Sequence, residues 1–155
     1  MIGKRLRTME QPVNFSIASK DEFYEIKHFL KRHNTYSANR TDIIYTVRSD
    51  KKLIGLARLI NIDEDKNTLW LRGLFIDEAW RNKGLASSLL NYLYKNQIES
   101  SQTKSIVAFA EPHLKQFYQQ NNYTEVTMEQ LPASLKNRLE NAYSQGKKWL
   151  RLMRS

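Results

Sequence analysis

The segment from Leu69 to Leu93 constrains the fold of this 155-residue chain more than any other. An apolar run ends at Ile76, a short polar connection follows, and an amphipathic helix begins near Gly84. A strand that leads into a helix crosses back over its sheet, so the next apolar run, Ser105 to Ala110, is predicted to lie parallel to the first. This segment therefore predicts a fold in which helices pack on a β-sheet.

Hydrophobic periodicity predicts the whole order as β-α-β-β-β-α-β-α-β, followed by a helix and a terminal strand. Short turns between the middle strands predict antiparallel hairpins, and Ser19 and Glu22 have the spacing of a capping box before the first helix. The predicted strands cover 13–18, 43–48, 53–60, 69–76, 105–110, 123–128 and 149–153. The predicted helices cover 21–32, 84–96, a segment that starts at Pro112, and 131–143. This is a mixed α/β arrangement in one domain, residues 13–155, after a flexible basic extension over residues 1–12.

Composition narrows the classes of function. The chain has no cysteine, which excludes disulfides and thiolate chemistry, and its 3 histidines are too scattered for a zinc site, so no metal is expected. No apolar stretch is long enough to span a bilayer and the N-terminus lacks the apolar region of a secretory signal, which predicts a soluble, cytoplasmic protein without a membrane partner. The net charge of +9 is spread along the chain, which favours a solvated surface over a nucleic-acid interface.

The turn Arg81-Asn82-Lys83-Gly84-Leu85-Ala86 has the properties of an anion-binding site. The first N–H groups of a helix have no partner inside the helix, and the helix dipole adds positive charge there. Gly84 lets the backbone approach a ligand without a Cβ, while Arg81 and Lys83 add formal charge. The chain has neither a Walker A loop nor a Rossmann glycine pattern. The turn therefore predicts a diphosphate ligand, although a basic helix start with a glycine for turn geometry is the structural alternative.

This turn resembles the [QR]-x-x-G-x-[GA] motif of the GCN5-related N-acetyltransferase (GNAT) family. A later segment, Phe117 to Tyr123 (FYQQNNY), is similar to the family's FYxxxGF segment, and the resemblance in element order extends over residues 13–153. It implies a GNAT-like single domain with a central, mostly antiparallel sheet, a parallel pair at strands four and five, and flanking helices. It also implies acetyl-CoA as co-substrate and direct attack of a primary amine on the thioester in a ternary complex.

The resemblance also assigns roles to residues. Tyr118 is the implied general acid for the leaving CoA sulfur, with a core aromatic as the alternative. The fourth strand contains no carboxylate, so the general base is either Glu111 or a water relay. Asn122 stands where relatives have glycine and is expected to adopt the same positive φ. The implied cofactor contacts are Leu74, Phe75, Ile76, Arg81, Asn82, Lys83, Gly84, Leu85, Ala86 and Ser87.

Two other readings of the sequence stay open. A basic protein associated with nucleic acid fits the net charge, and a member of the fold that binds CoA without catalysis fits the turn. The acceptor is an amine-bearing small molecule or a protein, and the positive charge of the chain disfavours polyamines. The sequence does not decide between a monomer and a homodimer, nor whether a longer acyl group is used.

Overall fold

The computed structural model describes residues 12–62 and 67–155, which form a seven-stranded sheet and four α-helices. The strands are β1 (Val13–Ile17), β2 (Ile43–Ser49), β3 (Lys52–Asn61), β4 (Thr68–Ile76), β5 (Ser105–Ala110), β6 (Thr124–Glu125) and β7 (Leu150–Arg154). The helices are α1 (Phe23–Arg32), α2 (Leu85–Ser100), α3 (Lys115–Gln120) and α4 (Ala133–Ser144). The predicted basic extension, apart from Pro12, lies outside the described residues. Within these ranges no helix has the length and apolar character that crossing a bilayer requires.

The sheet has the strand order β1-β2-β3-β4-β5-β7-β6. All neighbouring strands run antiparallel except β4 and β5, which are parallel. Both the antiparallel hairpins of the middle strands and the parallel pair are confirmed. The parallel pair follows from α2, because a helix between two strands of one sheet returns the chain to the same end of the sheet.

Helices cover both faces of the sheet. Leu89 and Leu93 of α2 pack in one buried cluster with Leu71 of β4. Leu135 and Leu139 of α4 pack in another with Trp70, the preceding residue of β4. Since successive side chains of a strand point to opposite faces, α2 and α4 lie on opposite sides of the sheet. The helix α1 shares the face of α4, and α3 shares the face of α2.

Several element boundaries differ from the predictions for local reasons. The helix α2 continues four residues past the predicted end at Asn96, because Gln97 is buried and its side chain bonds to Tyr45. The strand predicted over 123–128 pairs only at Thr124–Glu125, since Thr127 starts a capping box for a short 3-10 turn. The capping box of Ser19 and Glu22 is confirmed, but it caps the 3-10 turn Lys20–Glu22 that leads into α1.

Candidate active site

The strand β4 carries a bulge at Gly73. Leu56 pairs with Phe75 and Arg58 pairs with Arg72, so β4 uses one residue more than β3 over this stretch. Gly73 has a φ of +65°, and a Cβ at this position would lie 2.9 Å from Nε of Arg58. Only glycine meets both the conformation and the close approach. The bulge thus changes the direction of β4 just before its carboxyl end.

The parallel strands β4 and β5 separate at the same level. Their pairing runs from Thr68 opposite Ser105 to Leu71 opposite Ala108 and goes no further. From Arg72 to Ile76, the edge of β4 that faces β5 has no strand partner within the described part of the chain. Backbone N–H and C=O groups require hydrogen-bond partners, so this edge is available to a ligand with an extended, peptide-like arm.

The basic turn leads from β4 into α2. Gly84 is the N-cap of α2 with a φ of +79°, and apart from its chain neighbours no described residue has an atom within 4 Å of the position that a Cβ would take there. The N–H groups of the first helical turn have no acceptor inside the helix, so this open space is bordered by free donors. The turn has the conformation and the space that the sequence predicts for an anion site.

Arg81 connects this turn to the end of β4. Its Nε donates a hydrogen bond of 2.7 Å to the carbonyl oxygen of Ile76, and its guanidinium lies 5.1 Å from the ring centroid of Phe75. These contacts fix a positive charge between the strand and the turn. Lys83 is exposed on the same turn but does not line the groove described next.

A groove of about 770 Å³ runs along these elements. Every cofactor contact implied by the sequence lines it except Lys83, and Tyr118 also lines it. Six further residues line the groove that were not assigned to it from the sequence. All but Phe117 lie outside the two motif segments, and none has a spacing that marks a cofactor contact. These are Thr35, Tyr36, Gly73, Trp80, Leu114 and Phe117.

Tyr118 is buried among other aromatic rings. It is 7% exposed, lies in the main core cluster, and makes an edge contact with Tyr123 at 5.4 Å between ring centroids. Burial raises the pKa of the Tyr118 hydroxyl to about 12, so the phenol stays protonated throughout the physiological range. Tyr118 thus has a core position and at the same time lines the groove.

A second, smaller pocket of about 200 Å³ adjoins the groove at the separation of β4 and β5. The two cavities share Tyr36, Gly73, Leu74, Leu114 and Tyr118. The smaller one lies on the face of α4, since Trp70 and Phe109 form its walls. The opening between the strands therefore joins the two cavities.

Glu111 lines this smaller pocket and not the groove. Its side chain is exposed, and its Oε2 accepts a hydrogen bond of 2.9 Å from the indole N–H of Trp149. Glu111 thus shares a cavity with only one predicted cofactor contact, Leu74, whereas Tyr118 lines both cavities.

The Acetyltransferase (GNAT) domain family matches residues 40–125, more than half of the chain. The chain belongs to the GNAT family. The matched residues include the basic turn and the segment Phe117 to Tyr123, on which the resemblance is based. The matched range contains β4, α2, β5 and α3, which contribute lining residues to the cavities, whereas Thr35, Tyr36 and Trp149 line them from outside this range.

Solved structures share the GNAT fold over nearly the whole chain. N-acetylglutamate synthase from Neisseria gonorrhoeae, complexed with coenzyme A and N-acetyl-glutamate, has 14% identity and a TM-score of 0.66 over 94% of this chain and 35% of its own. This chain thus spans about a third of that synthase. A GNAT acetyltransferase from Staphylococcus aureus Mu50 has 16% identity and a TM-score of 0.61, covering 92% of this chain and 98% of its own. Escherichia coli ElaA has 15% identity and a TM-score of 0.63, covering 93% and 100%. No match was found among curated proteins.

At the end of α3, this GNAT chain has Asn122 at the position where the family segment FYxxxGF has glycine. Asn122 has a φ of +70°, as expected, and the next N–H, of Tyr123, donates 3.0 Å to the carbonyl oxygen of Tyr118. The side-chain amide of Asn121 donates to the carbonyl oxygen of Phe117 at 2.8 Å and to the Ser87 hydroxyl at 3.1 Å. The helix that carries Tyr118 is thereby tied to the first turn of α2.

Proposed function

We propose that this protein transfers the acetyl group of acetyl-CoA to a primary amine by direct attack in a ternary complex. One observation carries the proposal: the unpaired edge of β4, the open helix start at Gly84 and the protonated Tyr118 all border one groove. In the reaction the amine attacks the thioester carbon, the C–S bond breaks, the sulfur leaves as a thiolate that takes up a proton, and the nitrogen loses one.

The groove suits each part of the co-substrate. The free N–H groups at the start of α2 and the guanidinium of Arg81 would hold the diphosphate, since both present positive charge. The open edge of β4 from Arg72 to Ile76 would hold the pantetheine arm through backbone hydrogen bonds. Backbone donors near Phe75 would polarise the acetyl carbonyl.

Tyr118 would act on the leaving sulfur mainly as a hydrogen-bond donor. A phenol whose burial raises the pKa to about 12 is a weaker acid than a thiol, whose ordinary pKa is about 8.5. Complete proton transfer from Tyr118 to the thiolate is therefore unfavourable, whereas a hydrogen bond stabilises the developing negative charge. Because its pKa is about 12, the Tyr118 hydroxyl stays protonated and able to donate throughout the physiological pH range.

The proton of the attacking amine would leave through the smaller pocket. Glu111 is the carboxylate that lines this pocket, and its exposure lets it pass a proton on to solvent. The hydrogen bond from Trp149 occupies only one of its oxygens, which leaves the other to accept. A water relay without a dedicated base is the alternative route.

Acetyl-CoA binding and thiol release test the proposed function together. We expect acetyl-CoA to raise the melting temperature of the protein, and a panel of primary amines to contain substrates that release free CoA thiol. A shift without thiol release from any amine would favour a member of the fold that only binds CoA. Absence of a shift, together with salt-dependent binding of RNA or DNA in a gel assay, would favour the nucleic-acid alternative.

Tyr118→Phe is expected to lower turnover about a hundredfold, because it removes one donor to the developing charge. The affinity for acetyl-CoA should stay unchanged, since the ring still fills its place in the core. Tyr123→Phe is the matched control: Tyr123 is buried even more deeply than Tyr118, its hydroxyl has no hydrogen-bond partner among the described residues, and it lines neither cavity. Turnover is measured by thiol release under saturating acetyl-CoA. Wild-type turnover in Tyr118→Phe would remove this residue from the mechanism.

A further inference from the structure

The smaller pocket contains two arginines on neighbouring strands. Arg58 of β3 and Arg72 of β4 are direct cross-strand partners, and both line the pocket. Like charges at directly opposed positions destabilise a sheet unless negative charge compensates them. An arginine of this pair that has no carboxylate beside it in the described part of the chain therefore indicates that the pocket lacks a negative charge.

Arg58 has its own counter-ion. Its Nη1 lies 2.9 Å from Oδ2 of Asp42, and the two side chains are only 5% and 2% exposed. The Nε of Arg58 is buried, has no hydrogen-bond partner in the described part of the chain, and faces the bulge at Gly73. The charge of Asp42 is thus engaged by Arg58, while one donor of this guanidinium is unsatisfied.

Arg72 has no such counter-ion. Across residues 12–62 and 67–155, no carboxylate lies within ion-pair distance of its guanidinium. The guanidinium instead lies 4.4 Å from the ring centroid of Trp70, and Arg138 of α4 approaches the same ring at 5.1 Å. Burial, then the charges of Arg58 and Arg138, lower the pKa of Arg72, and the smaller opposing effects of Tyr36 and Asp42 do not offset them. An anion in the pocket would relieve this repulsion.

We propose that Arg72, supported by Arg58, binds a carboxylate of the acceptor, so that the substrate is a small amine that also carries a carboxylate, of the α-amino-acid class. This inference rests on the proposed acetyl transfer. A planar guanidinium matches a carboxylate with two parallel hydrogen bonds. Glu111 in the same pocket provides the opposite charge for the ammonium end. Polyamines, which have no anionic group, would meet only repulsion at Arg72.

The size and walls of the pocket agree with a small acceptor. Its volume of about 200 Å³ lies below the range typical of sites for drug-sized ligands. Its walls include Trp70, Phe109 and Trp149, with ring centroids 5.7 Å apart for the first pair and 6.3 Å for the second. These rings offer an apolar surface to the remainder of an amino acid.

The test compares α-amino acids with the matching α-amino amides, which differ only in the carboxylate. We expect the wild-type protein to acetylate the acids with the higher kcat/KM. Arg72→Gln should lower kcat/KM for the acids about tenfold or more, because a charge-assisted contact is lost, and should leave the amides within about twofold. Calorimetric titration of the CoA-saturated proteins with the best amino acid should show a similar loss of affinity in Arg72→Gln, measured without any turnover.

Lys95→Gln is the matched control, since it removes one positive charge from the exposed side of α2, away from both cavities. It should leave both substrate series unchanged. Equal kcat/KM for acids and amides in the wild type, or an equal loss for both series in Arg72→Gln, would overturn the inference while acetyl transfer stood. A wild-type protein whose melting temperature does not respond to acetyl-CoA would overturn the proposed function, and this inference with it.

Discussion

Gly84→Glu is expected to weaken acetyl-CoA binding about a hundredfold or more and to abolish the thermal shift. The glutamate would project a carboxylate into the open space at the start of α2, where no atom lies within 4 Å of a Cβ position. Two like charges about 4 Å apart repel by about 4 kcal/mol near a protein surface, before salt screening. The negative charge would also cancel the helix dipole that attracts the diphosphate. The affinity is measured by calorimetry at low salt.

Gly84→Gln separates charge from backbone strain in this experiment. Glutamine has the size of glutamate and imposes the same cost at a φ of +79°, but it carries no charge. We expect Gly84→Gln to bind acetyl-CoA at least about tenfold more tightly than Gly84→Glu, because repulsion accounts for most of the loss. Equal affinities in the two variants would show that no anion binds at this turn.

Gly55→Ala is expected to destabilise the fold by about 3 kcal/mol, as overpacking does in a closely packed interior. A Cβ at Gly55 would lie 2.6 Å from Cδ1 of Ile76, 2.9 Å from the carbonyl oxygen of Phe75 and 2.9 Å from Cγ1 of Val47. The carbonyl belongs to the backbone of β4, so the strand itself has to move. The free energy of unfolding is measured by urea denaturation followed by circular dichroism.

Gly146→Ala provides the control for Gly55→Ala. Gly146 has a φ of +90°, and a Cβ there would meet no atom within 4 Å. Alanine at this site therefore costs only backbone strain, about 1 to 2 kcal/mol. We expect Gly55→Ala to lower the free energy of unfolding more than Gly146→Ala does. Gly55→Ala should also weaken acetyl-CoA binding, because the displaced strand is the one that borders the groove. A smaller decrease in the free energy of unfolding at Gly55 than at Gly146 would contradict the close packing of β3 against β4.

The features that the sequence predicts well are local ones. The turn from Arg81 to Ala86 could be recognised because a strand end, a glycine and a helix start are contiguous in the chain, and their spacing determines the geometry. The parallel pairing of β4 with β5 follows from the same segment through the handedness of crossovers. Asn122 could be assigned a positive φ because asparagine tolerates it at the end of a helix.

The features that the sequence does not predict depend on register. Arg58 and Arg72 are partners through the register that the β3–β4 hairpin sets, and the bulge at Gly73 shifts the alignment by one residue only beyond this pair. The contact of Glu111 with Trp149 joins positions 38 residues apart and has no local signature. The motif also does not predict that Arg81 bonds to the carbonyl oxygen of Ile76, because it indicates the charge of this side chain and not the direction in which the side chain points.

The separation of β4 from β5 gives the protein two entrances. The groove is reached beside α2 and α3, whereas the smaller pocket is reached from the face that carries α1 and α4, and the cavities meet where the strands part. In the proposed reaction, the acceptor and acetyl-CoA would therefore enter from different sides without blocking each other. The acetylated product would then leave independently of CoA, and the order of the two departures would depend on their affinities.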